Sequence, residues 1–535
     1  YVQADGLQTI GYDHGDYNVV TNYVKGNNSY TVFAGANYSH VDGTETWNNE
    51  NYQFTQSLFD RESYSKNSYR NHQEYMQFRY QNQKGKRYWV GKFTLVNLST
   101  PRNASSGFAK ESTETDVFSN IRKKSLSPKI DLNANLPLSK NQTLTLGVHG
   151  KYSANSYHRL YQEQPFETMT DEDEKALSFQ LSAIYNYFSQ KHSLSVELFH
   201  YHDVWNADYS GNCELWQHLW KGESLAFFSY NFQASRRLSL KTRIGLDWLQ
   251  YHLHGDNSFS QLSPRINTNV QYQLNKGMLL WSFNFVNSNH GMDVINRAMI
   301  QVNSHMMEKG MPELKKSHDI NTYLYYMGRF NRLSVSAIGQ FRYNHHPVTD
   351  DYYLDEANGK IVKTYSNGGN AQYYSAILAL QYKLCKFANL SGDIRYNHAE
   401  VKTTWSKHNN NLTGNLGLNM FMGDFALKPY LHFGKKSLDE AALVISKTPI
   451  DYGMSCSYSR GNLYVELQAV SPFKKQEKQY WLDLPIYSYS KSIKDQTASQ
   501  YASIKVAYSF DFGRKIQKVE KDVNKNINSS LLRVE

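Results

Sequence analysis

Apolar and polar residues alternate along most of this chain, and the alternation is clear between Leu238 and Trp248. Most alternate residues there are apolar, and the residues between them include Lys241, Arg243 and Asp247. Because side chains on a β-strand point to opposite faces in turn, this pattern predicts a strand with one apolar and one polar face. The apolar face ends at the ring of Trp248, as in a lipid-facing strand near the membrane interface.

The same two-residue period recurs in segments spread over the whole sequence. It predicts strands at 142–152, 277–287, 333–344, 388–399 and 501–513. We expect the following residues to face outward: Leu144, Leu146, Val148, Tyr152, Leu279, Trp281, Phe283, Phe285, Val335, Ala337, Phe341, Tyr343, Leu390, Ile394, Tyr396, Ile504, Val506, Tyr508, Phe510 and Phe512. The polar residues between them would face an interior that contains water.

Short turns rich in Gly, Asn and Ser separate these strands in pairs. We place them at 26–28, 84–86, 139–141, 189–192, 235–237, 275–277, 330–332, 385–387, 423–424 and 460–462. Longer connections alternate with the turns, and the longest predicted loops are 40–71, 98–126, 154–176, 289–318, 345–371 and 473–498. With a weak first strand near Leu7–Tyr12, ten turns give about 22 strands.

These features predict an all-β fold, a transmembrane antiparallel β-barrel with short periplasmic turns and long extracellular loops. The barrel would span residues 1–513, and the charged segment 514–535 would form a periplasmic C-terminal tail. A solenoid would show a fixed repeat length, which this sequence lacks. A sandwich does not easily accommodate so many strands, whereas a closed barrel leaves no sheet edge unpaired in lipid.

Composition agrees with a barrel and excludes several other classes of protein. Aromatic residues make up 14% of the sequence, yet mean hydropathy is −0.65. No run of about 18 apolar residues indicates a transmembrane helix. The net charge of +10 comes from Lys and Arg that are dispersed, many of them in turns, so we expect no nucleic acid partner. The three cysteines form neither a disulfide framework nor a zinc motif.

Charged residues at inward positions are the candidate ligand-binding residues of the lumen wall. They are Lys241, Arg243, Asp393 and Arg395. Such side chains can contact a substrate or a protein in the lumen, or they can pair with each other and stiffen the wall. The second interpretation is slightly favoured.

Histidine pairs and acidic runs are the other candidate sites. The pairs are His200 with His202, His252 with His254 and His345 with His346, all near outer strand ends. The acidic residues are Asp171, Glu172, Asp173 and Glu174, and Asp350, Asp351, Asp355 and Glu356. Metal sites need three or four ligands in one place, and neither acidic run has EF-hand spacing, so we interpret both as solvated polar groups and expect no metal. No hydrolase, P-loop or dinucleotide motif is present, so we expect neither catalysis nor a cofactor.

Two segments resemble the barrels of TonB-dependent outer-membrane receptors, in the subgroup often called the outer-membrane β-barrel family. Residues 127–132 and 136–144 are similar to an SPxLDL…LPxxQTL segment, and 310–315, which lead into 319–321, are similar to a GNPxLKPE motif. Met311 stands at the Asn position of that motif, and Lys316 stands at the second Pro position. The resemblance implies a barrel in the outer membrane, in contact with its lipids, and a plug domain in the lumen that contacts the TonB complex. We expect the plug domain to lie outside this chain.

The resemblance implies an importer of a nutrient such as a siderophore, an oligosaccharide or a peptide through a plug-gated lumen. An alternative is a barrel that no longer transports and that scaffolds a complex with surface lipoproteins or another barrel. An open diffusion porin is a third possibility, but so wide a barrel would leak unless loops such as 289–318 fill it.

Overall fold

Strands account for nearly all of the regular structure in the computed structural model. The structure describes residues 1–55, 57–256, 258–288, 291–495, 499–510, 523–527 and 529. The strands are β1 (Val2–Ile10), β2 (Asp13–Lys25), β3 (Asn28–Gln53), β4 (Leu58–Lys84), β5 (Arg87–Lys110), β6 (Glu114–Ser139), β7 (Gln142–Glu163), β8 (Phe166–Phe188), β9 (His192–Gly211), β10 (Leu215–Gln233), β11 (Leu238–Leu253), β12 (Phe259–Leu274), β13 (Gly277–Ser288), β14 (Met299–Gln301), β15 (Met306–Lys309), β16 (Ser317–Phe330), β17 (Leu333–His345), β18 (Thr349–Asp355), β19 (Lys360–Ser366), β20 (Asn370–Lys383), β21 (Ala388–Lys402), β22 (Ser406–Met422), β23 (Phe425–His432), β24 (Lys435–Asp439), β25 (Val444–Thr448), β26 (Asp451–Arg460), β27 (Leu463–Val470), β28 (Lys478–Asp483), β29 (Tyr487–Lys494) and β30 (Tyr501–Phe510). One helix, α1 (Met292–Ile295), lies between β13 and β14 in the described part of the chain, where no helix is long and apolar enough to cross a bilayer.

The main sheet closes on itself as a 22-stranded antiparallel barrel, as predicted. Its strands in order are β1–β13, β16, β17, β20–β23, β26, β27 and β30. Closure comes from the pairing of β30 with β1, in which Val2 lies opposite Phe510. The weak first strand that the sequence predicts is therefore the one that completes the barrel.

All ten predicted short turns lie between consecutive barrel strands at one end of the barrel. Several require positive φ, with 59° at Gly26 and 53° at Asn331. Glycine adopts this conformation without steric cost and asparagine tolerates it better than most residues, so these residue types mark hairpin turns.

The predicted outward faces are confirmed over the described strands. The rings or aliphatic side chains of Trp281, Ile394, Val506 and Phe510 are exposed on the outside of the barrel. Phe512 lies outside the described residues. The interior has the opposite character, because inward positions such as Ser282 are polar and buried.

Three of the predicted loops are wrong, because 40–71, 98–126 and 154–176 are mostly strand. β3 and β4 have 26 and 27 residues, whereas about 10 residues of a tilted strand cross a bilayer. Beyond the bilayer the outward face needs no apolar side chains, so hydrogen-bonded strands continue without the alternating pattern. Loops 289–318 and 345–371 are connections, but they contain β14, β15, β18 and β19, and 473–498 contains β28 and β29.

A second group of strands extends the wall above the shorter barrel strands. β23 and β27 have only 8 residues each. This extension consists of four strands in the sheet order β24, β25, β28 and β29. It pairs through β29 with the outer half of β3, and we call these four strands the collar. The collar continues the wall where the barrel strands are too short to do so.

Most of the predicted periplasmic tail, residues 514–535, lies outside the described residues, and its assignment stays a prediction. Residues 523–527 of this segment are described and lie on the inner wall of the barrel. Val523 and Ile527 pack against buried side chains of β2–β5. These two apolar residues therefore bring a short part of the C-terminal segment onto an apolar surface of the inner wall.

Candidate functional site

A small sheet lies inside the outer half of the barrel. It is formed by β14, β15, β19 and β18 in that order, and we call it the inserted sheet. Its strands come from the two connections that leave β13 and β17. β15 and β19 pair in parallel and thereby join the two connections into one unit.

The inserted sheet and α1 pack against the inner wall on one side of the barrel. Met292, Ile295, Ala298, Ile300 and Leu314 contribute the inserted apolar side chains. They share a buried core with these residues of the wall: Ala176, Trp205, Ala207, Tyr209, Leu219, Leu249, Tyr251 and Leu253. This core anchors the first connection to the wall of β8–β11.

A second core joins the inserted sheet to the other side of the mouth. Met306, Tyr352 and Ile361 pack there against β3, β20, β21 and the collar. The residues that receive them are Tyr52, Ala371, Val401, Leu443, Leu482, Leu484 and Tyr487. The inserted sheet therefore spans the mouth from one wall to another.

Arg159 binds the turn between β14 and β15 to the wall, and Arg61 lies in an ion cluster beside it. Arg159 of β7 donates to the carbonyl oxygens of Gln301 and Val302, at 3.0 and 2.6 Å. Arg61 of β4 lies 2.8 Å from Glu50 and 2.9 Å from Glu163. Since all three of these charged side chains are buried, they form a compensated ion cluster.

The turn reaches the same cluster through its own polar residues. Ser304 Oγ donates to Glu163 Oε2 at 3.3 Å, and His305 Nε2 lies 2.6 Å from Glu111 Oε1. The hydroxyl oxygen of Tyr52 accepts a hydrogen bond from Asn303 at 3.2 Å. Each polar residue from 303 to 305 thus contacts the wall.

The first connection ends at a fully buried ion pair. Lys316 Nζ lies 2.8 Å from Asp247 Oδ2, and both side chains have 0% exposure. Arg265 contacts the same carboxylate oxygen at 2.6 Å and Glu223 at 3.1 Å. The GNPxLKPE motif that this segment resembles has proline at the position of Lys316. The lysine supplies the cation that joins the connection to β11.

A chamber of about 680 Å³ remains between the inserted sheet and the inner wall. Its charged lining residues are Glu50, Arg61, Arg159, Asp293, Glu308, Asp350, Lys363 and Lys491. Its lining tyrosines include the buried Tyr161, Tyr352 and Tyr487 and the half-buried Tyr365 and Tyr489. This volume is within the range of small-molecule sites. Aromatic rings and paired charges can hold a ligand that has both flat apolar faces and polar groups.

Three charged residues of the inserted sheet form a cluster beside the chamber. Lys363 Nζ lies 3.3 Å from Glu308 and 3.5 Å from Asp350. Burial opposes the charged form of Lys363, but Glu308 and Asp350 outweigh it and raise the pKa of the lysine. Burial is also the main cause that raises the pKa of Asp350, to about 6, while Lys363 acts in the opposite direction.

We expect the inserted sheet to dock less tightly as pH rises towards 6. Asp350 has a higher pKa when docked than its ordinary value of 3.8, so the docked state binds more protons between those values and loses stability as pH rises through them. From pH 5 to pH 8 the loss should be about 1 kcal/mol. Hydrogen-exchange protection factors of β18 and β19 at the two pH values measure it. Asp350→Asn should abolish the difference, and an equal difference in the variant would contradict the assignment.

The four predicted ligand-binding residues lie on the lumen wall as two separate pairs. Lys241 and Arg243 are on β11, and Asp393 and Arg395 are on β21, with β12, β13, β16, β17 and β20 between them. Arg243 lies 2.5 Å from Glu197 and its guanidinium carbon lies 3.5 Å from the ring centre of Phe227. Asp393 accepts a hydrogen bond from Asn415 at 2.9 Å. Arg243 and Asp393 thus take part in wall contacts. The role of all four residues in ligand binding stays a prediction.

The histidines of these pairs that lie on barrel strands do not face the lumen. His200 lies opposite Ser224 on the face that carries the exposed Phe228, and His252 is on the face of Trp248. The acidic run 171–174 alternates, with Glu172 and Glu174 buried inside and Asp171 and Asp173 outside. Asp350 contacts Lys363, and Asp351 accepts from Trp405 at 2.9 Å. Within the described ranges, no group of three or more His, Cys, Asp or Glu could hold a metal ion.

Most of the residues that line the chamber were not among the candidates that the sequence offers. Arg61, Arg159 and Lys363 all lie in segments predicted as loops, so no inward position was assigned to them. The available signal for a strand was the recurrence of polar or aromatic residues at every second position, as in Arg159, Tyr161 and Glu163. Such a pattern indicates a strand whose polar side is enclosed.

Comparison with known proteins identifies the fold. No family model matches the sequence, and no curated protein matches it. Among solved structures, the copper transporter OprC aligns over 95% of this chain and 80% of its own, with a TM-score of 0.67 and 10% identity. The FrpB iron transporter from Neisseria meningitidis aligns over 95% and 81%, with a TM-score of 0.61 and 8% identity.

A third solved structure is the ferripyoverdine receptor of Pseudomonas aeruginosa. It aligns over 95% of this chain and 71% of its own, with a TM-score of 0.64 and 10% identity. Identities this low establish the fold alone. The chain has the 22-stranded barrel fold of TonB-dependent outer-membrane receptors.

Proposed function

We propose that this chain is the barrel of a gated outer-membrane importer, in which the chamber receives a nutrient and the inserted sheet covers it on the outer side. The observation that supports the proposal is the chamber itself. It is lined by tyrosines and paired charges and lies between the wall and two connections that β15 and β19 join into one unit. The barrel fold shared with OprC, FrpB and the ferripyoverdine receptor adds support.

The lining favours an organic ligand over a bare metal ion. Protein sites for metals need several ligands in one place, and the described residues offer no such group. A siderophore chelate brings its own metal ligands, and an oligosaccharide or peptide needs none. All three ligand classes present groups that tyrosine rings and paired charges can contact.

Uptake by whole cells tests the proposal. A strain that lacks the gene would be compared with the same strain carrying the full-length gene, with labelled ferric catecholate, maltoheptaose and a hexapeptide as probes. We expect the gene to restore uptake of at least one probe, and an uncoupler of the proton gradient to abolish that uptake, because TonB-type import needs energy. Uptake that persists in the presence of the uncoupler would indicate passive diffusion and would contradict gated import.

A scaffold within an outer-membrane complex is the second candidate. The observation that favours it is that two apolar cores, the hydrogen bonds of Arg159 and the ion pair of Lys316 fix the inserted connections to the wall. A permanently closed mouth would suit a barrel that only holds partners. The scaffold would be favoured over the importer if the gene restored uptake of none of the probes and a lipoprotein or another barrel co-purified in stoichiometric amount.

A further inference from the structure

An apolar and aromatic surface on the inner wall of β2–β5 holds a short segment of the C-terminal region. The surface consists of the buried side chains of Val20, Phe33, Tyr75 and Val96. Segment 523–527 lies on it. These wall residues are closer to the short turns than the chamber is, since Phe33 lies near the start of β3 whereas Glu50 lies near its end.

Lys129 of β6 binds the backbone of this segment. Its Nζ donates to the carbonyl oxygen of Asn524 at 2.7 Å and to that of Asn526 at 2.5 Å. The lysine is only 4% exposed, and charged donors of this kind form the stronger hydrogen bonds. Because both acceptors belong to the main chain, these two contacts do not depend on the side chains of the bound segment.

The side chains of the segment alternate between wall and lumen. Val523, Lys525 and Ile527 are half-buried, whereas Asn524 and Asn526 are exposed. Lys525 Nζ lies 4.3 Å from the ring centre of Tyr75, a cation–π contact. An alternation of this kind is typical of an extended peptide bound along a surface.

The wall itself holds Tyr75 in place. The hydroxyl of Tyr75 donates to Asn18 Oδ1 at 2.6 Å. Its ring lies across Gly35, where an added Cβ would be 2.6 Å from the ring. The aromatic part of the surface is therefore positioned by β2 and β3 rather than by the segment that it binds.

We propose that the inner wall of β2–β6 is a binding site for an extended peptide and that the chain's own segment 523–527 is its resident ligand. Lys129 recognises the peptide backbone, Tyr75 receives a cation, and Val20, Phe33 and Val96 receive apolar side chains. Any other peptide that uses this wall has to displace the segment. The proposal concerns the opposite end of the lumen from the chamber, so it does not depend on import.

Limited trypsin digestion of the full chain in detergent tests the proposal. Cleavage after Lys525, followed by mass spectrometry, should be at least about tenfold faster in Lys129→Met than in the wild type, because two charge-assisted hydrogen bonds are lost. Lys241→Met is the matched control, since it removes an exposed lumen lysine on a distant strand and should leave the rate unchanged. Equal rates in all three proteins would overturn the proposal.

Cross-linking gives a second measurement that leaves Lys129 intact. In a background with Cys213, Cys385 and Cys456 replaced by serine, Tyr75→Cys with Lys525→Cys should be joined by a short bismaleimide. Ser282→Cys with Lys525→Cys should not be joined, because Ser282 faces the lumen from β13, on a different part of the wall from Tyr75 on β4. Equal yields for the two pairs, or no cross-link with Tyr75→Cys, would show that segment 523–527 does not reside on this wall.

Discussion

Replacing Asp247 with asparagine should reduce the free energy of unfolding by about 3–5 kcal/mol. The carboxylate is fully buried and contacts both Lys316 and Arg265. Asparagine has nearly the same shape, but it leaves Lys316 without its counter-charge in a site that water does not reach. Guanidinium unfolding of the protein in lipid vesicles, followed by tryptophan fluorescence, measures the loss.

Two further variants separate loss of charge pairing from loss of packing. Asp393→Asn removes another inward carboxylate, which is only partly buried and contacts Asn415, so it should cost less than about 1 kcal/mol. The double variant Asp247→Leu with Lys316→Met replaces the pair with apolar groups and should regain much of the loss, because Arg265 keeps Glu223. A single Asp247→Asn variant as stable as the wild type would contradict the buried ion pair.

Barrel closure and the outward faces could be predicted because lipid imposes a strict rule on the sequence. Every membrane-level strand must present apolar residues outward, as Val506 and Phe510 do, and every short turn must reverse the chain within a few residues, as at Gly26. Both requirements are local, so a single sequence reveals them. The strand count followed from the turns and needed no knowledge of which strands pair.

The inserted sheet, the collar and the position of segment 523–527 could not be predicted, because each depends on contacts between distant residues. Ile361 is buried only because β19 lies beside β15 inside the barrel. Lys316 was recognised as a departure from the motif, yet its partner Asp247 lies far away in sequence. Outside the bilayer lipid imposes no apolar outward face, and only a weak alternation such as that of Arg159, Tyr161 and Glu163 marks a strand, so the regions that contain Arg61 and Arg159 were misassigned.

Excision of the hairpin formed by β18 and β19 should open the outer mouth of the barrel. Residues 347–368 would be removed and position 346 joined to Gly369, with His346→Asn. His345 pairs with Asn370, and His346 and Gly369 both have positive φ, at 59° and 87°. An Asn-Gly pair is the preferred two-residue connection between antiparallel strands, so β17 and β20 should remain paired.

The expected result is a rise of about tenfold in single-channel conductance in planar bilayers, because a 22-stranded barrel is wide enough to pass water and ions when its lumen is not filled. Cells that produce the variant should also become sensitive to vancomycin. Asn358→Ala alters only the exposed turn of the hairpin and should leave both measurements unchanged. Heat-modifiable mobility on gels would show that the excised protein is still a folded barrel.

A folded but non-conducting excision variant would mean that the remaining connection, from α1 to Lys316, closes the mouth by itself. This connection packs against β8–β11 through the core around Leu219 and Leu253, and its Met306 also reaches the core beside the collar. The hairpin reaches the opposite side, where Asp350 N–H donates to the carbonyl oxygen of Ala441 at 2.7 Å in the collar. Since the hairpin supplies Tyr352 and Ile361 to that core as well as this hydrogen bond, its removal should open the side of the mouth that faces the collar.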